Sequence, residues 1–384
     1  MMKQVVWLFC AAVMVPLLVR AQKNAPVKAG SPADILWDQS SLKQVSAGGG
    51  EYARMIQLHN GNLLCVYENR GSIQCTTSTD LGKNWLAPIT VAASTPGVNM
   101  AVPGILELKD HSLLVSYNPR PHKINGAWDT TKRFAIVTKK SYDRGKTWKD
   151  ERLIYEADYR FENGCWEPAQ IQLPSGEIQL FYSDESVYVH SNEQNISVFR
   201  SKDGGLTWTS KPQITSFTPG HRDGMPVPII LAGTTDILYS IEDNAGGQFK
   251  PSVIRNSFNQ NWQKTVGPND VERNYALVPR LPDTVYAGAP YLSQLHNDQT
   301  LLSYQSTQNR GSNWELACMQ VAIGNNKGRD FINASQPFIV PVNKHGLWNS
   351  LCVLDDDTII ALTSTDAYGS SAIWMIKGHL KPKN

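Results

Sequence analysis

The sequence predicts an all-β chain folded as a six-bladed β-propeller. Three observations carry this: a turn motif that recurs three times, six two-strand units of one design, and an extra strand-like segment ahead of the first unit. The motif reads S-x-D-x-G-x-x-W. It appears as Ser78 to Trp85, Ser141 to Trp148 and Ser201 to Trp208, at intervals of about 60 residues, a period typical of repeat architectures. Its aspartate can accept hydrogen bonds from the turn's own amides, its glycine permits a positive φ, and its tryptophan can fold over the hairpin as a plug. Such a turn is structural.

Each unit opens with two alternating strands joined by a polar turn, as in Tyr52 to Glu68 with Asn60-Gly61 between them. Equivalent openings begin at Val102, Trp166, Gly224, Gly288 and Trp348, which makes six blades in one toroidal domain. The fourth blade carries a decayed turn at Ser257 to Trp262. Asn309 to Trp314 in the fifth reads as a chance echo of the motif. Ile35 to Val45 is the segment that could supply an outer strand to close the ring.

Residues 1–21 read as a secretory signal, with Lys3 before an apolar stretch from Val5 to Val19 and a cleavage-like Val19-Arg20-Ala21. The propeller then occupies 22–384, and the protein is expected to be secreted or periplasmic and monomeric, with no membrane contact once the signal is removed. A formal net charge of +2 over 384 residues, without a basic stripe, excludes nucleic acid as an implied partner. Outside the signal lie Cys65, Cys75, Cys165, Cys318 and Cys352, read as buried small hydrophobes, although Cys65 and Cys75 could sit on neighbouring strands and bridge. The eight histidines are scattered and no spacing resembles a zinc site, so no metal is expected.

Chain direction sorts the loops. If each blade is four antiparallel strands running outward, the starts of the first strands and the ends of the second share one face near the axis. That face gathers Tyr52, Arg54, Glu68 and Arg70 from the first blade and Tyr117, Asn118 and Arg120 from the second. Trp166, Glu167, Tyr182, Asp184 and Glu185 follow, then Arg222, Asp223, Glu242 and Asp243, and finally Tyr291, Tyr304, Gln305, Trp348 and Asn349. Carboxylates, arginines and aromatics are what a sugar site needs: a proton donor, a nucleophile or base, and flat apolar surfaces. Arg54, Arg70, Tyr117, Asn118, Trp166, Tyr182, Arg222, Asp223, Tyr291, Tyr304 and Trp348 are therefore candidates for substrate contact, and an oligo- or polysaccharide is the expected partner. Glu167 and Glu242 are the candidate catalytic pair, on adjacent blades. Glu167 opens a strand in an otherwise apolar wall, which raises a carboxyl pKa and suits a general acid. The competing structural readings are an ion pair with Arg54, Arg222 or Arg255 for the glutamates, an Arg54–Glu68 pair, and blade packing for Trp166 and Trp348.

The repeated turns, known as Asp boxes, together with the Tyr52 to Trp85 unit, resemble the sialidase superfamily over nearly the whole chain after the signal. Arg54 falls where sialidases carry the first of three arginines that grip a carboxylate, and Glu68-Asn69-Arg70 echoes them. Met55-Ile56 stands where sialidases have Ile-Pro, and no loop after Arg70 leaves room for their aspartic acid. The chain is more closely similar to the glycoside hydrolase 93 group of exo-α-L-arabinanases. There one glutamate opens the third blade as acid/base and another ends the fourth blade's second strand as nucleophile, places that Glu167 and Glu242 match. The resemblance implies a retaining exo-enzyme that releases arabinobiose from α-1,5-linked arabinan without a cofactor. Two alternatives stay open: a sialidase using Arg54 with two of Arg222, Arg255 and Arg280, and a propeller that only binds glycans.

Overall fold

A computed structural model describes residues 34–381, so the signal read at 1–21, its boundary with residue 22, and Cys10 lie outside the described residues. The fold class is as expected. Six four-stranded antiparallel sheets form the blades of a β-propeller. A first strand, β1 (Asp34–Gln44), precedes blade 1, which comprises β2 (Glu51–Gln57), β3 (Leu63–Asn69), β4 (Ser72–Ser78) and β5 (Ile89–Ala92). Blade 2 holds β6 (Val98–Glu107), β7 (Leu113–Pro121), β8 (Ala135–Ser141) and β9 (Lys149–Glu156). Blade 3 holds β10 (Cys165–Gln172), β11 (Ile178–Asp184), β12 (Asn195–Ser201) and β13 (Gln213–Ser216). Blade 4 holds β14 (Asp223–Ile230), β15 (Asp236–Asp243), β16 (Lys250–Ser257) and β17 (Arg273–Tyr275). Blade 5 holds β18 (Ala287–Gln294), β19 (Thr300–Ser306), β20 (Cys318–Gly324) and β21 (Ile332–Ser335). Blade 6 holds β22 (Gly346–Val353), β23 (Ile359–Thr365) and β24 (Ala372–Lys381), and β1 pairs with β24 as its fourth strand. The segment expected to close the ring does so, which pairs the β24 edge.

The second strand of each blade is apolar on both faces because blades stack face to face. Met55, Leu63 and Cys65 pack against Ile360, Leu362 and Met375 of blade 6, whereas Leu64, Val66 and Cys75 pack against Leu113, Val115 and Val137 of blade 2. Cys65 and Cys75 thus sit on opposite faces of one sheet. Cys65 stands opposite Thr76 and Val66 opposite Cys75, one register step apart, so the conceivable bridge does not form and both thiols are free.

The three repeated turns are built alike. Ser78, Ser141 and Ser201 each donate from Oγ to Oδ1 of Asp80, Asp143 and Asp203, all at 2.8 Å, and accept the amides of Gly82, Gly145 and Gly205. Those glycines have φ of 85°, 85° and 87°. Trp85, Trp148 and Trp208 pack into the clusters between blades. Ser78 stands opposite Leu63 beside the first hairpin turn, at the far end of the blade from Glu51 and Glu68, which fixes these turns on the face away from the starts of the inner strands. We expect Asp143→Ala to lower unfolding stability by about 1–2 kcal/mol without changing turnover of the folded protein, measured by denaturant titration and an activity assay. Turn hydrogen bonds hold all three carboxyls low, to about 2, despite some burial at Asp143 and Asp203, so their stabilisation is present above pH ~4 and is lost as pH falls towards ~2.

The decayed turn of blade 4 buries Trp262 completely, its Nε1 donating to Gln179 Oε1 at 3.0 Å. Asn309 to Trp314 is no such turn. It lies between β19 and β20 on the opposite face.

Every innermost strand is interrupted at one place. Register shifts in β2, β6, β10, β14, β18 and β22 put Tyr52, Val102, Glu167, Met225, Ala289 and Trp348 in left-handed backbone, with φ between 43° and 52°. Such geometry in residues with a Cβ costs energy and persists only where the surroundings impose it. Four of the six residues, Tyr52, Val102, Met225 and Ala289, form one buried cluster against which Trp348 packs. Glu167 is the only ionisable carboxyl in this ring.

Candidate active site

A cavity of about 410 Å³ opens on the face of the bulges. Tyr52, Trp166, Glu167, Met225 and Trp348 reach it from the inner strands, Arg120 and Glu242 from the ends of β7 and β15. Loops complete it with Phe161, Arg222 and Tyr286 from the segments before β10, β14 and β18, and with Gln194, Gln248, Phe249 and Trp314 from those before β12, β16 and β20. Tyr52 and Trp348 stack with ring centroids 4.3 Å apart, and the rings of Phe161 and Trp314 stay 59% and 45% exposed at the lip. An aromatic wall around a few charged groups suits sugars, whose C–H faces stack on rings while their hydroxyls find polar partners.

The two glutamates are held differently. Glu167 accepts a hydrogen bond from Arg120 Nη2 at 3.0 Å, and Arg120 is itself fixed by Asn118 Oδ1 at 2.7 Å and lies 4.9 Å above the Trp166 ring. Burial pushes the Glu167 carboxyl up while Arg120 opposes the shift. The wall expected to be purely apolar thus contains a cation. Glu242 accepts the Ala289 amide at 3.0 Å, and burial, reinforced by the nearby Glu167 charge, pushes it up to about 7. That amide contact has a repeat logic: Gln305, one blade on, accepts the Trp348 amide at 2.8 Å, and Ser183, one blade back, accepts that of Met225 at 3.0 Å. Only one neutral acceptor is needed at this position, so the carboxylate of Glu242 exceeds its structural duty. Gly224 makes room for it. A Cβ there would lie 3.1 Å from Glu242 Cγ and 2.9 Å from Gln194 Oε1. We expect Gly224→Ala to displace Glu242 and cut kcat/KM by about 10²-fold with little change in melting temperature.

Of the residues expected to touch substrate, Trp166, Arg222 and Trp348 line the cavity with the glutamate pair. Arg54 and Tyr291 do not reach it. With Glu167 they line a small chamber of about 60 Å³ deeper in the channel, where Arg54 lies 5.1 Å over the Tyr291 ring and donates to the carbonyls of Ala53 and Asn349 rather than to Glu68. Tyr117, Tyr182 and Tyr304 are buried between blades because alternate residues of these strands point sideways into the neighbouring sheet; Tyr117 Oη donates to Glu151 at 2.9 Å. Asn118 is buried beneath Arg120, its amide donating to the carbonyls of Ala135 and Cys165. Asp223 is fully buried in an ion pair with Arg273, which also binds Asp243 at 2.9 Å. Arg70 sits exposed in a tight turn at φ 50°, away from the cavity. The sialidase-type arginine set is not assembled, since Arg255 pairs with Asp236 and Arg280 stacks on Tyr275, both outside the cavity. Arg222 instead pairs with Glu185, which Gln194 also contacts at 3.0 Å.

The chain shares the six-bladed fold of sialidase-like propellers. No family model matches the chain. A curated relative, a xyloglucanase from a Paenibacillus species, is 28% identical over 169 residues, which is 40% of this chain. The chain spans only 14% of that relative's length. Among solved structures, a protein of unknown function from Dyadobacter fermentans superposes with a TM-score of 0.67 at 14% identity, covering 90% of this chain and 99% of the other. The glycoside hydrolase 93 α-L-arabinofuranosidase of Fusarium graminearum, solved with arabinobiose, gives 0.66 at 17% identity over 88% and 97%. A sialidase of Trypanosoma rangeli gives 0.58 at 11% identity over 91% and 58%. At these identities the likeness is one of fold.

Proposed function

We propose that the protein is a glycoside hydrolase that cleaves sugar units from chain ends with retention, using Glu167 as acid/base and Glu242 as nucleophile, on α-L-arabinofuranosyl chains such as linear arabinan. The observation that carries this is the convergence of two buried carboxylates with raised pKa on one aromatic-walled cavity. In the first step Glu242 attacks the anomeric carbon while Glu167 gives its proton to the departing oxygen; in the second Glu167 takes a proton from the water that displaces Glu242. Arg120 bears on this chemistry. Its charge opposes the burial that raises the Glu167 carboxyl, while at Glu242 the Ala289 amide and the Arg222 charge oppose the burial that raises that group. The arabinobiose complex of the Fusarium relative supports the choice of sugar.

Incubation with linear α-1,5-arabinan, with a sialyl substrate and with xyloglucan separates the readings. Release of small arabinose-containing products, with the first-formed anomer retained by proton NMR, is expected. Activity on the sialyl substrate alone, or on none of them, would overturn the substrate or the enzyme reading respectively.

A further inference from the structure

On the face opposite the cavity, four of the six junctions between the inner hairpin turns of neighbouring blades are stitched together in one way. An amide in the turn of one blade donates to the last side chain of the next blade's inner strand. Lys109 N donates to Gln172 Oε1 at 2.8 Å, Ala232 N to Gln294 Oε1 at 2.9 Å and Asp355 N to Gln57 Oε1 at 3.0 Å. A neutral glutamine is enough at those three junctions. Between blades 1 and 2 the acceptor is Glu107, whose Oε2 takes the His59 amide at 2.9 Å. This leaves Oε1 free to serve other groups, and two imidazoles converge on it. His59 Nδ1 is 2.5 Å away and His111 Nδ1 is 3.6 Å away, with the two rings stacked at 3.7 Å between centroids. His59 and His111 come from the β2–β3 and β6–β7 turns, so the sequence scatter of histidines hides a cluster that only the ring of blades assembles.

We propose that His59, Glu107 and His111 form a binding site for a divalent transition metal, with zinc its simplest occupant, clipping blade 1 to blade 2. The donors are two imidazole nitrogens and one carboxylate oxygen, a set that suits zinc and its neighbours rather than calcium or magnesium. All three donor atoms lie within 4.8 Å of one another, so side-chain rotation alone can bring them to the roughly 2.0–2.2 Å bonds that zinc needs. The side chains of His59, Glu107 and His111 are 34%, 15% and 56% exposed, which gives an ion a path from solvent and leaves a position for water. The carboxylate is already oriented through its other oxygen, the kind of outer contact that fixes a ligand. The site lies at the hairpin turns and takes no part in the glycosidase reading.

The test uses the whole protein after treatment with a chelator, titrated with zinc by calorimetry and followed by thermal melting. One zinc per chain at micromolar concentration, with a melting temperature that rises on zinc addition and returns with chelator, is expected because an ion that binds only the folded state stabilises it. Glu107→Gln keeps the amide acceptor that glutamine supplies at the other junctions and so tests the metal without breaking the stitch. His111→Ala removes an exposed ring. Loss of an outer contact alone typically weakens metal binding about 10–100-fold, so each variant should weaken zinc at least that much while its zinc-free melting temperature stays near that of the parent. Saturation reached only at millimolar zinc, or micromolar binding undiminished in both variants, would overturn the proposal.

Discussion

Glu242→Gln should eliminate glycosyl-enzyme formation, while Glu167→Gln should lose about 10²–10⁴-fold on natural glycosides and retain activity on aryl glycosides whose leaving group needs no proton. The contrast is clean because neither change disturbs the fold. Glutamine at 242 still accepts the Ala289 amide, as Gln305 does for Trp348 one blade on. Electrostatics supply a second readout. Burial, with Glu167 nearby, pushes Glu242 up to about 7, and a neutral residue at 167 removes the repulsive part. The rising limb of kcat/KM against pH on an aryl substrate, which reports ionisation of the nucleophile, should therefore move to lower pH in Glu167→Gln. Stability gives a third. A carboxyl whose folded pKa is raised is stabilising below its unfolded value and loses that contribution as pH rises through the folded one. Glu242→Gln should accordingly melt higher than the parent at pH 8 and at nearly the same temperature at pH 5. A Glu242→Gln protein with full activity on both substrate types would remove Glu242 from the mechanism.

Arg273→Leu should cost about 3–5 kcal/mol, because it leaves two largely buried carboxylates without their cation. Asp223 is fully buried and Asp243 nearly so, and Arg273 bridges them, with Nη1 3.1 Å from Asp223 Oδ1 and 2.9 Å from Asp243 Oδ2. The loss should depend on pH. Burial raises the Asp223 carboxyl and Arg273 opposes that rise, so without the arginine Asp223 is accommodated more readily as the neutral acid, and denaturant titrations at pH 5 should show a smaller deficit than those at pH 8. Asp243 adjoins Glu242 at the end of β15, and activity should fall along with stability. A variant as stable as the parent at pH 8 would show the triad to be dispensable.

The amino-acid sequence by itself determined the architecture, because a propeller is a local repeat. Each Ser-x-Asp-x-Gly-x-x-Trp turn closes through hydrogen bonds within eight residues, and each inner hairpin needs only its own alternation and turn, so the blade count, the closing strand and the two faces were legible without long-range information. Strand direction alone also put Glu167, Glu242, Trp166, Arg222 and Trp348 on the face where the cavity opens. It could not tell which residues at a strand end reach the channel mouth and which pack against a neighbouring blade, since successive side chains face opposite neighbours and one bulge reverses the assignment. Tyr117, Tyr182 and Tyr304 were lost to the blade interfaces for that reason, and Asp223 to Arg273, a partner 50 residues away. The bulges were invisible because a left-handed Tyr52, Glu167 or Trp348 follows no local propensity and is imposed by the neighbouring blade.

Arg120 stood among the residues of the right face, but its choice of Glu167 depended on Asn118 and Trp166 around it. Trp314, in a stretch that only echoed the turn motif, and Phe161, Phe249 and Tyr286 come from loops whose paths no periodicity encodes. Tertiary structure alone decided these, and with them the stacked pair of His59 and His111, because packing blade 2 against blade 1 brings together turns that are apart along the chain.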